Sequence, residues 1–388
     1  MDFNLTETQT LLQDTANRLV RERYSFEGRK KIVGGDGAHA QALWAEFAKL
    51  GLLGVEIDED CGGSGGTFAD LAVVLEAFGR GLVVEPYLST VVICAGLISA
   101  ADSGERRLDL LGRIVAGELK LALAHGEARA RYALEHVEAT ARREGADFII
   151  NGSKAVVLGG DSADMLIVSA RTNGGVADQN GVSLFMVYAK AAGVYIRPYR
   201  NMDDRGAAEI SLDNVRVPES ALLGQLDAAL PLIEAAYDRG AAALCCEGIG
   251  AMSALNAVTL DYLKTRMQFG RPIGKFQVLQ HRMADMVMAE EQARSMVFLA
   301  VDFADENDAA VRRRFISAAK VQISNSGQIV GRGAIQLHGG IGMTIEYVAG
   351  HYLRRLTAIE KMFGDIDYHL GRFAADQGPQ PLASPLCC

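Results

Sequence analysis

Residues 266–280 read RMQFGRPIGKFQVLQ, and residues 336–344 read QLHGGIGMT. Each stretch interrupts long segments in which apolar residues recur every three or four positions, the period of an α-helix. Gly270 in the first stretch and the pair Gly339 and Gly340 in the second are residues that end helices and permit sharp turns. The sequence therefore predicts two connections between helices, each with polar residues and glycines at fixed spacing.

The segments on either side predict the fold class. The helical period persists over residues 226–375, and long helices joined by short loops predict an antiparallel four-helix bundle. Residues 1–117 also have helical periodicity, broken by a glycine-rich turn. Residues 118–225 consist of short segments rich in Val, Ile and Tyr, which are typical of strands. We therefore predict an α+β chain with a helical domain, a small antiparallel β-barrel or sandwich, a helical bundle and a mobile tail at residues 376–388.

Two local patterns refine this prediction. Asn151-Gly152 is a strong signal for a two-residue hairpin turn, because both central positions of a type I′ turn need positive φ. Gly240, Gly248 and Gly250 lie inside the first helix of the bundle, where each costs about 1 kcal/mol relative to Ala. Close packing against another helix is the expected compensation.

Composition excludes several classes of function. The formal net charge of −9 argues against nucleic-acid binding, which relies on Lys and Arg. No uninterrupted apolar run reaches the roughly 18 to 20 residues of a membrane span, and acidic residues stand where a signal peptide is basic, so we expect a cytoplasmic protein. The six cysteines have no metal-ligand spacing and are too few to staple a chain of this length.

The two stretches carry specific motifs. The first is Arg-x-x-Phe-Gly followed by Phe-Gln, formed by Arg266, Phe269, Gly270, Phe276 and Gln277. The second is Gln-x-x-Gly-Gly-x-Gly, formed by Gln336, Gly339, Gly340 and Gly342. With helices, a β-domain and a helical bundle in that order, the chain resembles the acyl-CoA dehydrogenase family over nearly its whole length.

The resemblance implies that FAD is the cofactor, bound by Arg266, Phe269, Gln277, Gln336, Gly339 and Gly340. A guanidinium offers permanently charged, bidentate donors to a pyrophosphate, and this fits Arg266. Consecutive glycines let backbone N–H groups approach a cofactor closely, and Gln336 can donate and accept near the adenine end. The alternative is purely structural: Arg266 ends a helix and the glycines make a turn.

The motifs for the other side of the family's flavin site are missing. LALAHGEARARY, residues 121–132, stands where a Thr-Glu-Pro motif is expected. SKAVVLGG, residues 153–160, stands where Trp-x-Thr is expected, with Val156 or Val157 in place of the indole. The family's usual catalytic Glu falls on Phe363, which cannot take a proton. The chain thus lacks the ring side of the site and the usual base.

Glu247 is the candidate base within this chain, because removal of an α-proton from a thioester needs a carboxylate in a dry site. Asp238, Asp365 and Asp367 are weaker candidates. The alternative for Glu247 is a helical glutamate that packs by its stem and forms a salt bridge at its tip. We interpret His338, beside the glycines, as a helix-terminal histidine with a backbone hydrogen bond rather than as a catalytic acid.

The missing residues all belong to one side of a flavin that, in the family, lies between two subunits. The chain looks most like the small subunit of pimeloyl-CoA dehydrogenase-type enzymes and is similar to one subunit of heteromeric α2β2 bacterial acyl-CoA dehydrogenases. This resemblance implies a heterotetramer with a homologous large subunit that carries the base. It also implies α,β-dehydrogenation of an acyl-CoA in fatty acid or steroid side-chain degradation, an electron-transfer flavoprotein as acceptor, and no metal.

Other interpretations remain open at the level of sequence. The chain could form a self-sufficient homotetramer with Glu247 as the base. It could be a flavin oxidase or monooxygenase on the same fold, or a non-catalytic scaffold subunit. The sequence does not identify the acyl group.

Overall fold

The computed structural model of the 388-residue chain describes residues 5–35 and 37–375. The predicted mobile tail, residues 376–388, lies outside this part. The chain divides after Ala251, within its longest helix, into two compact units. The three domain boundaries taken from the sequence stay predictions.

The N-terminal region is helical, as predicted. Its α-helices are α1 (Glu7–Arg23), α2 (Phe26–Gly34), α3 (Ala38–Lys49), α4 (Phe68–Gly81), α5 (Ala95–Ala101) and α6 (Glu105–Val115). A capping box between Thr6 and Gln9 starts α1, because each side chain bonds the other residue's backbone N–H. A buried π-helical segment, Leu88–Cys94, leads into α5. Its Thr90 hydroxyl donates to Leu121 O at 3.0 Å, which ties the helices to the first strand.

The middle region is a single mixed sheet. Its strands are β1 (Leu121–Ala124), β2 (Thr140–Glu144), β3 (Asp147–Leu158), β4 (Met165–Arg171), β5 (Val182–Tyr188), β6 (Val194–Arg200), β7 (Gly206–Pro218) and β8 (Leu222–Leu223). Hydrogen-bonded neighbours follow the order β6-β7-β3-β2-β4-β5-β8, with β1 parallel to β4. The predicted β-domain is present, but its sheet is open and two of its pairings are parallel, which corrects the closed barrel and the purely antiparallel order of the predicted barrel or sandwich. Patterns in sequence report hairpins between consecutive strands, whereas the parallel pairs of β4 with β1 and β2 join strands far apart in the chain.

The hairpin predicted at Asn151-Gly152 is also wrong. Both residues lie inside β3, and the turn that joins β2 to β3 is Gly145-Ala146. A register shift between Ile150 and Gly152 marks a β-bulge, and a Cβ on Gly152 would lie 2.5 Å from the Ala139 side chain. Gly152 is therefore required by a close backbone approach rather than by a turn.

One internal glycine of the long helix α7 (Leu230–Thr265) is explained by a close contact with α4. A Cβ on Gly250 would lie 1.9 Å from Glu76 O, and a Cβ on Gly79 of α4 would lie 2.0 Å from Glu247 O. The two helices therefore touch backbone to backbone, as the sequence predicted for Gly250. By length and composition α7 resembles a membrane span, but 78% of its most apolar window is buried inside the fold, and a buried core helix passes the same test.

The C-terminal region is helical, as predicted. After α7 it contains α8 (Gln277–Asp302), α9 (Ala309–His338), α10 (Val348–Lys361) and α11 (Ile366–Ala375). Helix α9 packs against α8, α10 and α11. The Asn256 side chain of α7 donates to the buried Glu290 of α8 at 2.7 Å. The described residues thus hold a larger helical domain than the four-helix bundle expected.

Candidate functional site

Arg266 lies at the point where α7 ends. Its backbone N–H still donates to Tyr262 O at 2.9 Å, and its carbonyl accepts from Ile273 N at 2.9 Å. Between these bonds, β9 (Met267–Gln268) pairs with β10 (Arg271–Pro272). The Arg266 side chain is exposed at the base of this hairpin. Since the backbone is held at both ends, the Arg266 side chain projects from a fixed point of the backbone.

Phe269 and Gly270 form the tip of the hairpin. Both have positive φ, 51° and 75°, as a two-residue type I′ turn requires. An aromatic residue rarely adopts this conformation, and strain of this kind costs on the order of 1–3 kcal/mol. The Phe269 ring is 89% exposed and makes an edge contact with Phe276 at 6.1 Å between centroids. An exposed aromatic ring on a strained backbone is typical of a group that contacts another molecule.

The second motif lies at the end of α9. Gln336 is exposed, and the helix ends at Gly339 with φ of 64°. A Cβ added to either Gly339 or Gly340 would meet nothing within 4 Å in the described chain. Unlike Gly339, Gly340 does not have a positive φ, so neither its backbone conformation nor its packing requires glycine. The surface at Gly340 is therefore open to a molecule that approaches from outside.

A stack of rings brings the two motifs together in the second compact unit. His338 lies 4.6 Å from Tyr262 and 5.0 Å from Tyr347, measured between ring centroids. Tyr262 is one turn before Arg266, and His338 directly precedes Gly339. The His338 Nδ1 pairs with Ala334 O at 2.8 Å, as the sequence interpretation expected, and burial lowers the pKa of this imidazole.

These features together form what we call the half-site: the side chains of Arg266, Phe269, Gln277 and Gln336 with the glycines 339 and 340. All four side chains are exposed. An exposed guanidinium suits an anion such as a pyrophosphate, and exposed amides suit a base or a sugar. The residues present therefore fit one side of a dinucleotide.

Glu247 is brought into a different setting. Its side chain is 3% exposed, and both of its carboxylate oxygens accept from the Arg205 guanidinium, one at 3.1 Å. Arg205 also donates to Val83 O at 2.6 Å, so the ion pair is anchored to the segment after α4. This geometry favours the packed and salt-bridged alternative. The role of Glu247 as a base stays a prediction.

Phe363, at the family's usual base position, and the three weaker base candidates lie in different settings. Phe363 adopts a φ of 56° in a turn, and its carbonyl accepts from His369 Nε2 at 3.1 Å. Asp365 Oδ1 accepts from Tyr368 N at 3.1 Å and so caps the start of α11. Asp238 is buried, at 1% exposure, and Asp367 is exposed.

A buried network fills the middle domain where the ring-binding motifs are missing. The Lys154 ammonium, 1% exposed, donates to Glu127 Oε1 at 2.6 Å, to Ser169 Oγ at 3.1 Å and to His125 O at 3.3 Å. The second Glu127 oxygen accepts from the backbone N–H of Glu138 at 2.7 Å. Burial lowers the pKa of Lys154 to about 8 although Glu127 opposes the shift. The polar groups of Lys154, Glu127 and Ser169 thus bond one another inside the domain.

Sequence reasoning missed this network. His125 and Glu127 come from the stretch at the position of Thr-Glu-Pro, and Lys154 comes from the stretch at the position of Trp-x-Thr. The signal available in the sequence is a Lys directly before the apolar run at residues 155–158. Its partner lies 27 residues away, and no local pattern predicts such a pair.

Comparison with known proteins gives the class of protein. Three family models match in order: the N-terminal domain of acyl-CoA dehydrogenase over residues 6–118, the middle domain over 122–215, and the C-terminal domain over 230–377. The chain belongs to the acyl-CoA dehydrogenase family. It is an FAD-dependent oxidoreductase that acts on acyl-CoA.

Particular relatives span most of the chain. It is 32% identical to acyl-CoA dehydrogenase FadE12 of Mycobacterium tuberculosis over 80% of each chain. Among solved structures, it is similar to the Tcur3481-Tcur3483 steroid ACAD, with 29% identity, a TM-score of 0.85, and coverage of 96% of this chain and 98% of the other. It is also similar to the FAD complex of PigA, with 25% identity, a TM-score of 0.88 and coverage of 97% and 99%.

Proposed function

We propose that this chain is one subunit of a heteromeric acyl-CoA dehydrogenase. It holds the adenine and pyrophosphate side of FAD, and a homologous subunit supplies the ring side and the base. The contrast between two regions supports this proposal. The half-site is exposed and has room for a ligand at Gly339 and Gly340, whereas the ring-side positions of the middle domain are taken by the buried pair of Lys154 and Glu127.

Each part of the half-site has a physical role in this proposal. Arg266 binds the pyrophosphate through charge-assisted hydrogen bonds, and the open space at Gly339 and Gly340 lets the cofactor approach the backbone closely. Phe269 and Gln277 cover the adenosine end, and Gln336 fixes the orientation of the base. When bound, FAD would supply the hydride-accepting chemistry for the dehydrogenation of the acyl-CoA. The α-proton goes to a carboxylate of the partner subunit.

The setting of the enzyme follows from the same proposal. The relative Tcur3481-Tcur3483 carries two protein designations and is described as a steroid ACAD. We propose an α2β2 heterotetramer in the cytoplasm that works in steroid side-chain or fatty acid degradation. An electron-transfer flavoprotein takes up the electrons.

The substitution Arg266→Ala tests the half-site. The chain is co-expressed with the homologous acyl-CoA dehydrogenase subunit, and FAD is measured per heterodimer by absorbance. Loss of a bidentate ion pair removes roughly 1.5–3 kcal/mol, so we expect FAD to bind about 10- to 100-fold more weakly. Arg314→Ala is the matched control, because Arg314 is exposed near the opposite end of α9.

Two outcomes would contradict the proposal. Unchanged FAD content after Arg266→Ala would show that the chain is a scaffold without a cofactor role. A purified chain that is yellow and active without any partner would support the homotetramer with Glu247 as its base.

A further inference from the structure

His338 is a buried titratable residue beside the half-site, and the proposed function gives it no role. It is the last residue of α9 and directly precedes Gly339. Its side chain is 3% exposed, and its ring contacts the rings of both Tyr262 and Tyr347. The imidazole therefore lies inside the second compact unit, next to the end of α7 that bears Arg266 and to the glycines of the second motif.

Packing alone does not require a histidine at this position. One ring nitrogen, Nδ1, donates to the Ala334 carbonyl at 2.8 Å. The other, Nε2 of His338, is buried and has no hydrogen-bond partner among residues 5–35 and 37–375. An unpaired buried polar atom costs about 1–3 kcal/mol, and a phenylalanine would keep the ring contacts without this cost. A polar role of the imidazole would offset it.

The surroundings of His338 favour the neutral ring. Burial lowers its pKa, and the hydrogen bond to Ala334 O opposes this shift only in part. The side chains in ring contact with it, Tyr262 and Tyr347, are phenols rather than carboxylates. A proton on Nε2 would thus find no acceptor in the described part of the chain, and the folded protein leaves this nitrogen unprotonated near pH 7.

Other ionisable residues on the surrounding elements do not pair with His338. Asp261 acts on Tyr347, whose pKa is raised first by burial and further by Tyr262 and Asp261. The His351 Nε2 donates to Ile345 O at 3.0 Å. The others are exposed: Arg266 on α7, His281, Arg282 and Asp285 on α8, and Glu346 before α10.

A pyrophosphate at the half-site changes the charge around this ring. Each of its two phosphates carries a negative charge, and in the proposed function Arg266 offsets one of them. The second charge acts on His338, which adjoins Gly339, and a nearby negative charge favours the protonated imidazole. Buried groups are screened only weakly, so this effect persists at physiological salt. Arg271, whose guanidinium lies over the Phe276 ring at 4.3 Å, is the alternative source of a second positive charge.

We propose that His338 takes up a proton when the pyrophosphate of FAD binds at the half-site, so that this chain couples cofactor binding to pH. The proton comes from solvent, binds Nε2 and returns to solvent when FAD leaves, and no bond of the cofactor changes. The inference rests on the proposed function. It adds a mode of regulation to the same site.

Calorimetry of the wild-type heteromer tests the proposal. FAD is titrated into the apo heteromer at about pH 6.5 in two buffers with different enthalpies of ionisation, and the difference in heat gives the number of protons taken up. We expect about 0.5 proton or more per FAD. By linkage, the affinity for FAD should then rise on the order of 3-fold or more from about pH 7.5 to about pH 6. An uptake of zero overturns the proposal.

Substitutions assign the proton to a residue. His338→Phe keeps a ring in contact with the two tyrosines but cannot ionise, so we expect proton uptake to vanish and the Kd for FAD to lose its pH dependence. His338→Gln is the second variant, because an amide can donate to Ala334 O without ionising, and it should give the same result. His351→Gln is the matched control, since His351 is also buried and bonds the loop that follows the glycines. It should leave the uptake unchanged.

The outcomes separate this inference from the proposed function. Proton uptake that persists in both His338 variants overturns the inference, even if Arg266→Ala still loses FAD. No uptake in the wild type but uptake in Arg271→Gln would show that Arg271 supplies the second positive charge, which also overturns it. Unchanged FAD binding in Arg266→Ala contradicts the proposed function, and the inference falls with it.

Discussion

The imidazole of His125 shows how burial at one residue affects the stability of the whole protein. The His125 Nδ1 pairs with Ser169 Oγ at 2.9 Å, and the Lys154 ammonium donates to the backbone carbonyl of His125. Burial, with a smaller effect from the charge of Lys154, lowers the pKa of His125 to about 3. The folded protein therefore keeps this ring neutral.

The depressed pKa predicts acid sensitivity. Below its ordinary value of 6.5 the unfolded chain binds a proton at this ring, while the folded chain does so only near 3. Stability is thus lost as the pH falls from about 6.5 toward about 3. Between pH 6 and pH 5, we expect the free energy of unfolding of His125→Gln to fall by about 1 kcal/mol less than that of the wild type. Urea unfolding at each pH measures this difference. The exposed His281→Gln should leave the slope unchanged, and an equal slope in His125→Gln would contradict the assignment.

At the scale of elements, the crossing of α4 and α7 depends on two glycines. Gly79 and Gly250 each lie against a carbonyl of the opposite helix. A Cβ on either glycine would lie about 2 Å from that oxygen, closer than Cβ atoms are found in real structures. Glu247 lies one turn before Gly250, so this contact also fixes the helix segment that carries the ion pair with Arg205. Glycine costs helix propensity at both positions, and the backbone contact is the compensation.

Alanine substitution at this crossing is expected to be strongly destabilising. Gly250→Ala forces the helices apart, and overpacking of this kind costs typically about 1–3 kcal/mol. Gly371→Ala in α11 is the matched control, because a Cβ there meets nothing within 4 Å. It should stabilise the protein by up to about 1 kcal/mol through helix propensity. Equal effects of the two substitutions on the free energy of unfolding would show that the crossing is not tight.

At the scale of the whole molecule, the proposed function assigns one side of the cofactor site to this protein and the other side to its partner. A ligand that binds only the folded, assembled protein stabilises it by mass action. We expect FAD at about 100 times its Kd to stabilise the heteromer by about 2.7 kcal/mol. The isolated chain should show no shift in Tm with FAD, as followed by differential scanning calorimetry. A Tm increase in the isolated chain would mean that its own residues complete the site.

The sequence by itself determined the family and the succession of helices, strands and helices, and it predicted the residues of the half-site. These follow from local periodicity and from short motifs such as Arg266-x-x-Phe269, whose members are neighbours along the chain. It also predicted that Gly250 lies in close helix packing. Such features are encoded within a few helical turns, so no distant contact is needed to read them.

Only the tertiary structure decided the contacts between residues far apart in sequence. It opened the predicted barrel, because β1 and β2 pair in parallel with β4. It shows that Asn151-Gly152 lies at a bulge rather than in a turn. It also shows that Glu247 pairs with Arg205, 42 residues away, and that Lys154 pairs with Glu127. The physical reason is that burial and charge pairing depend on which distant segments meet, and no local pattern of residues specifies that meeting.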